Sequence, residues 1–272
     1  MPSLGWCRLG CDLSDLLSRY GGKMSKFISK QSVAIWYALT ALLATFIVGQ
    51  VILWCFPDGK STGDSLLFIL MNCIPLIMAA IFSLVLSEVK SLGEFFKKVF
   101  LQKESPLSWI LAFIIPIIYY GISILLMNVR FTGNSLIAFF LYFPWTFLYW
   151  GLEEVGWRWF LQDHLYFSKH FITKMMVLSI VWFLWHITIY QLPWITAGSS
   201  NYLVFYLMIL GNTFLLGALK EYSKGAVPCI LAHMLIDSLA VLMLVQSSLT
   251  QIILLVIFEI LVSSWLVAMR KS

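Results

Sequence analysis

The stretch Ser135–Phe160 reads SLIAFFLYFPWTFLYWGLEEVGWRWF, a long apolar run that closes on Glu153, Glu154 and Arg158. About 20 predominantly apolar residues are enough for a helix to cross the hydrocarbon core of a bilayer. The whole chain is 61% hydrophobic and 11% charged, whereas soluble domains carry roughly 25% charged residues. The sequence therefore predicts a membrane protein.

Other apolar runs of this length follow one another along the chain. Together with the first, they occupy residues 32–56, 65–86, 107–127, 135–158, 173–192, 202–219, 226–246 and 249–268. Backbone amides in hydrocarbon need internal hydrogen bonds, so runs this long are predicted as helices and not as barrel strands. The predicted fold is all-α: a polytopic membrane protein of about eight transmembrane helices with a buried polar site.

The basic residues indicate how these helices are oriented, because cytoplasmic loops collect lysine and arginine. With the N-terminus inside, only Lys60 and Arg130 of the 18 basic residues fall outside. We therefore expect a multi-pass protein with both termini in the cytoplasm. The net charge of +5 follows from this topology, so membrane lipids are the expected surroundings and no nucleic-acid partner is implied. The five scattered cysteines indicate neither a disulfide framework nor a zinc motif.

The chain divides into two parts. Residues 1–30 form a polar, basic segment predicted to lie in the cytoplasm, in which Met24 is an alternative start. Residues 31–272 form one membrane domain, whose chemical motifs fall within 135–246. Within it, residues 87–105 alternate phenylalanines with lysines at near-helical spacing, which predicts an amphipathic helix on the inner membrane surface.

A few ionisable residues stand inside the apolar runs. Each costs roughly 2.5–3.5 kcal/mol at a helix centre on insertion scales, so a partner or a function is expected for it. They are Glu153, Glu154, Arg158, His186, His233, Asp237 and Glu259. Glutamate, histidine and aspartate together are a set used in hydrolysis, whereas Glu259 stands alone and is interpreted as a packing residue.

The spacing of these residues separates their expected tasks. Glu154 and Arg158 are four residues apart in the order that favours an ion pair on one helix face. His233 and Asp237 have the same spacing. We expect Arg158 to neutralise Glu154, which leaves Glu153 to project toward His186 and the face that carries His233 and Asp237. Glu153 and His233 both fall in the inner halves of their runs, which predicts a site that opens toward the cytoplasm.

The motifs resemble a known family. EEVGWR, with Glu153, Glu154 and Arg158, is similar to the E-E-x-x-x-R motif of the CPBP family of CAAX prenyl proteases and bacteriocin-processing proteins, also called Abi proteases. WFLWH, ending at His186, resembles its F-x-x-x-H motif, with Trp182 in place of the phenylalanine. HMLID resembles its H-x-x-x-N/D motif. Trp159 stands where glycine is common, and Asp237 takes a position more often held by asparagine.

The resemblance implies an intramembrane endopeptidase that cuts a CAAX-type prenylated protein or a membrane-associated peptide. Glu153 and His186 would activate the attacking water, and His233 with Asp237 would stabilise the oxyanion. Glu154 and Arg158 would support the site. The alternative is a non-catalytic immunity or scaffold protein of the same family. Trp182 and Trp157 are expected to line the substrate site, and the short loops favour a bacterial plasma-membrane member.

The presence of Asp237 leaves the question of a metal open. An ionised Asp237 would repel an oxyanion unless it is protonated, orients His233 or binds a cation. Two histidines and two carboxylates, Glu153, His186, His233 and Asp237, could hold zinc or another divalent metal with a water. The chain lacks H-E-x-x-H, and metal-free catalysis by glutamate and histidine is the favoured interpretation.

Overall fold

The computed structural model describes residues 32–59, 62–166, 170–193, 201–246 and 248–271. The predicted cytoplasmic segment 1–30, with Met24, lies outside these residues. The described chain consists of helices and one pair of short strands. The elements are α1 (Val33–Cys55), α2 (Thr62–Val85), α3 (Leu92–Phe100), α4 (Pro106–Leu125), β1 (Val129–Phe131), α5 (Leu136–Thr146), α6 (Gln162–His164), α7 (Phe171–Ile189), α8 (Tyr202–Tyr222), α9 (Val227–Leu239), β2 (Met243–Val245) and α10 (Leu249–Lys271). Two π-helical segments, Phe147–Gly151 and Val155–Leu161, connect α5 to α6.

The all-α membrane fold is confirmed. Within the described residues, six helices are long and apolar enough to cross a bilayer: α1, α2, α4, α7, α8 and α10. The bent pair Leu136–Gly151 and Val155–His164, which meets at 48°, makes seven if it is counted as one span. The predicted run 226–246 is not one full-length helix. It forms α9, whose 13 residues rise about 20 Å, and then β2, which pairs antiparallel with β1.

The described bundle has two distinct ends. At the strand end, β1 pairs with β2, and the amide of Gln251 at the start of α10 donates to the carbonyl of Leu126 after α4. At the opposite end, Lys220 at the end of α8 pairs with Asp163 at 2.9 Å. The backbone N–H of Lys224 there donates to the carboxylate of Glu104, just before α4. Because this second end carries most of the described lysines, it is called the lysine-rich end.

Helix α3 lies at the lysine-rich end and is shorter than the predicted segment 87–105. The Ser91 hydroxyl caps it by accepting the Glu94 N–H at 3.2 Å, a common N-cap arrangement. Phe95 on its inner face is buried, whereas Leu92 and Phe96 are 64% and 52% exposed. An apolar outer face of this kind suits a membrane surface.

The second π-helical segment packs directly against α2 at Gly156. The Tyr37 hydroxyl donates to the Pro75 carbonyl at 2.8 Å, and both groups lie against Gly156. A Cβ on this glycine would lie 2.7 Å from the Pro75 carbonyl carbon and would also collide with the Tyr37 hydroxyl. The backbone of α2 can approach this segment only because residue 156 has no side chain.

Gly156→Ala is therefore expected to destabilise the protein by about 1–3 kcal/mol, the usual cost of overpacking. The matched control is Gly121→Ala in α4, where a Cβ would meet nothing within 4 Å and where alanine is the better helix former. Thermal unfolding in detergent measures both variants. If Gly156→Ala and Gly121→Ala have equal melting temperatures, the close approach of α2 to Gly156 is contradicted.

Candidate active site

The two glutamates lie at the bend between the two π-helical segments. Glu153 and Glu154 occupy a short α-helical turn between Gly151 and Val155, and both side chains are fully buried. Gly151 allows α9 to come close, because a Cβ there would lie 3.0 Å from Ile230 and from Met234. π-helical turns are rare and often mark functional sites. Here they turn both carboxylates toward α9.

Glu154 and Arg158 form a fully buried ion pair, with Arg158 Nε donating to Glu154 Oε2 at 2.9 Å. The guanidinium also lies over the ring of Trp182, 4.6 Å from its centroid, a cation–π contact. Arg158 Nη1 and Nη2 have no hydrogen-bond partner among the described residues. The arginine is thus held by one carboxylate and one aromatic face.

His233 on α9 contacts both glutamates and Asp237. Its Nδ1 lies 2.9 Å from Glu154 Oε1 and 3.4 Å from Glu153 Oε1, although neither contact has hydrogen-bond alignment. Its Nε2 lies 3.3 Å from Asp237 Oδ2. Glu154 therefore contacts two basic side chains, Arg158 and His233, and is not engaged by Arg158 alone. The imidazole connects the buried carboxylates to Asp237, whose side chain is 30% exposed.

Two indoles hold the carboxylate of Glu153. Trp182 Nε1 donates to its Oε1 at 3.3 Å, and Trp157 Nε1 donates to its Oε2 at 3.4 Å. Trp157 is fully buried against Tyr37 and Trp185 and is not part of the described cavity wall. The sequence analysis expected Trp157 to line the substrate site. In the structure its indole N–H instead donates to the carboxylate of Glu153.

His186 lies on the other side of Trp182. The ring centroids of Trp182 and His186 are 5.1 Å apart, and those of Trp182 and His233 are 5.5 Å apart. His186 Nδ1 is 2.9 Å from the carbonyl oxygen of Trp182. A carbonyl only accepts, so Nδ1 carries the proton, and in the neutral ring Nε2 keeps the lone pair. No described hydrogen bond or ion pair joins His186 directly to Glu153.

A cavity of about 790 Å³ lies beside these residues. The residues of its wall that the motifs indicated are Trp182, His186, His233 and Asp237. Sequence analysis missed the rest of the wall, because these residues share no motif and come from separate helices and loops. They are Tyr119, Tyr120, Arg130, Tyr142, Trp150, Tyr190, Phe205, Met208, Ile209, Asn212, Ile236, Ala240, Leu244, Val245 and Gln246.

The cavity wall becomes more exposed toward the strand end. Along its wall, exposure rises from buried His233 through half-buried Asp237 to exposed Gln246 after β2. On the side of the lysine-rich end, the bend after Gly151 and the buried pair of Glu154 and Arg158 close the site. The expectation that the site opens toward the cytoplasm depends on which end of the bundle faces that side, so it stays a prediction.

A metal would meet a different set of ligands from the predicted one. In the described chain, one group of three has ligand atoms within 4.8 Å of one another, namely Glu153, Glu154 and His233. His186 and Asp237, which the sequence-based set included, do not join it. Two carboxylates and one imidazole suit zinc, and Glu154 Oε1 and His233 Nδ1 are buried without a hydrogen-bond partner. The group therefore fits a small divalent cation.

This arrangement defines a class: a polytopic membrane protein with a glutamate–histidine site inside its helix bundle. Residues 136–239 match the family model described as type II CAAX prenyl endopeptidase, Rce1-like, a segment that contains Glu153, His186, His233 and Asp237. For this segment, the match supports the resemblance to the CPBP family of proteases. No curated protein matches the chain.

Removing the guanidinium of Arg158 should strongly destabilise the fold. In Arg158→Met, Glu154 would keep only His233 as a basic neighbour, and breaking a buried pair typically costs about 3–5 kcal/mol. The second change Glu154→Gln should restore most of this loss. The control is Arg270→Met, which breaks the partly exposed pair of Arg270 and Glu221 and should cost at most about 1 kcal/mol. Thermal unfolding in detergent measures the stability of each variant. If Arg158→Met and Arg270→Met lose similar amounts of stability, the buried pair of Arg158 and Glu154 does not hold the fold as described.

Proposed function

We propose that this protein is an intramembrane endopeptidase that hydrolyses a peptide bond with a water activated by glutamate and histidine. The observation that carries the proposal is the position of His233. Its ring lines the cavity, contacts buried Glu153 and Glu154 at one nitrogen, and faces Asp237 at the other. Buried acid–base groups that converge beside a cavity are typical of active sites.

His186 and Glu153 are proposed to activate the water. The lone pair on His186 Nε2 can accept a hydrogen bond from a water in the cavity, and the indole of Trp182 connects His186 to Glu153. The two indole N–H groups on Glu153 fix its carboxylate, which suits a general base. Glu153 then takes one proton from the water as the oxygen bonds to the substrate carbonyl carbon.

His233 is proposed to stabilise the negative charge that develops on the carbonyl oxygen. Collapse of the tetrahedral intermediate breaks the C–N bond, and the proton held by Glu153 passes to the leaving nitrogen. The products are an amine and a carboxylic acid, which gives the second proton of the water to the solvent in the cavity and becomes a carboxylate. The contact of Asp237 Oδ2 with His233 Nε2 supports a role for Asp237 in orienting this ring. Such a role removes the difficulty of an aspartate close to an oxyanion.

We propose that this reaction needs no metal. Arg158 and His233 already lie against the two buried glutamates, so the carboxylates have positive partners from the chain itself. If a divalent cation binds, Glu153, Glu154 and His233 would hold it, and it would supply Lewis-acid activation of the water. The substrate is proposed to be a peptide or a prenylated protein, as the family description indicates.

Neutralising the proposed base should abolish cleavage without unfolding the protein. Glu153→Gln keeps one of the two indole hydrogen bonds, because the amide has a single acceptor oxygen, and removes the base. His186→Ala removes the lone pair. Each change is expected to lower kcat by about 10²–10⁴, the usual contribution of general acid–base catalysis. Cleavage of quenched peptides, prenylated and unmodified, measures the loss with detergent-purified protein.

The matched control for these variants is Glu259→Gln in α10. Glu259 is also a fully buried carboxylate in a membrane-spanning helix, but it is outside the cavity wall and the site, so this variant should retain activity. If Glu153→Gln cleaves like the wild type while its melting temperature is unchanged, the proposal fails. The non-catalytic immunity or scaffold function would then be the better description.

Treatment with a chelator distinguishes the metal-free mechanism from one that needs a divalent cation. Dialysis against a strong chelator, followed by metal analysis, should leave cleavage unchanged because the chain supplies all the charged groups. Loss of activity that returns only on addition of a divalent cation would contradict the metal-free proposal. The same titration with Glu154→Gln would test whether the group of Glu153, Glu154 and His233 holds that cation.

A further inference from the structure

The walls of the cavity all come from one side of the bundle. Each long helix that contributes to it does so from the half next to the strand end. Tyr119 lies near the end of α4, Phe205 near the start of α8, and Tyr190 directly after α7. Gln246 after β2 and Arg130 in β1 complete the rim. Water and substrate therefore reach His186 and His233 from the strand end.

The opposite end carries nearly all of the described basic residues. Four lysines lie between α2 and α4, two lie at the passage from α8 to α9, and further cations lie at the start of α7 and the end of α10. At the strand end, Arg130 is the one lysine or arginine in the described chain. Because lysine and arginine accumulate in cytoplasmic loops, the lysine-rich end faces the cytoplasm.

We propose that the active-site cavity opens on the side of the membrane that faces away from the cytoplasm, and that substrates enter it from that side. Two independent features carry this proposal: the charge asymmetry between the ends, and the wall of the cavity at the lysine-poor end. On the side of the lysine-rich end, the site is closed by Glu154, Arg158 and Trp157, which are fully buried.

This orientation narrows the substrate class, a step that rests on the proposed protease function. Prenylated CAAX chains often carry polybasic segments, and such segments are attracted to the anionic cytoplasmic leaflet. A cavity that opens on the other side does not meet them. The fitting substrate is a peptide, or a membrane-protein segment, that is exposed outside the cytoplasm.

Cysteine labelling tests the orientation without any need for catalysis. In a variant without its native cysteines, Gln246→Cys places one thiol at the rim of the cavity, and Lys103→Cys places one at the lysine-rich end. Both positions are exposed. Cells that express each variant are treated with a membrane-impermeant maleimide before and after permeabilisation. We expect Gln246→Cys to react in intact cells and Lys103→Cys to react only after permeabilisation.

The opposite labelling pattern, or equal labelling of both positions in intact cells, would overturn the proposal. Either result would leave the protease function untouched, because purified protein is tested separately. A second arm tests substrate entry with a membrane-impermeant quenched peptide that the purified protein cleaves. Intact cells that express the wild type should cleave it at least tenfold faster than cells that express Glu153→Gln. Cleavage that requires permeabilisation would show entry from the cytoplasm and refute the inference.

Discussion

The ion pair of Arg158 and Glu154 is the constraint on which the site depends. A guanidinium in a membrane-spanning segment cannot be left without a partner, and this one is fully buried against a carboxylate and the face of Trp182. The same indole donates to Glu153 and contacts both cavity histidines. Neutralisation of one buried cation thus fixes Trp182, and Trp182 connects Glu153, His186 and His233.

The bend in the α5–α6 region brings both glutamates to His233 on α9. A straight helix would present successive glutamates about 100° apart, so one of them would face away from α9. The two π-helical segments and the 48° bend instead allow both Oε1 atoms to approach one ring nitrogen of His233. Gly151 and Gly156 permit the close packing that holds this shape, because side chains there would collide with α9 and α2.

Much of this could be predicted from the sequence, because burial of charge in an apolar run is visible in composition and spacing. The i,i+4 relations predicted that Arg158 lies beside Glu154 and Asp237 beside His233, since both pairs are local to one helical turn. The π-helical turns could not be predicted, because they arise from packing between distant segments such as Gly156 and Pro75. For the same reason, the spacing gave no sign that Trp157 binds Glu153 or that the cavity faces the strand end.

The gradient of exposure across the site bears on how a proton leaves it. Glu153 is fully buried, His233 is nearly so, and Asp237 is 30% exposed in the cavity. In the proposed reaction Glu153 passes its proton to the leaving nitrogen, and the product carboxylic acid then releases the second proton of the attacking water. Trp157 and the pair of Glu154 and Arg158 are fully buried on the side of the lysine-rich end, so this second proton would leave past Asp237 into the cavity. Asparagine at position 237 could orient the imidazole but could not accept a proton, so in the proposed reaction the aspartate gives this protein a titratable group between the buried base and the solvent.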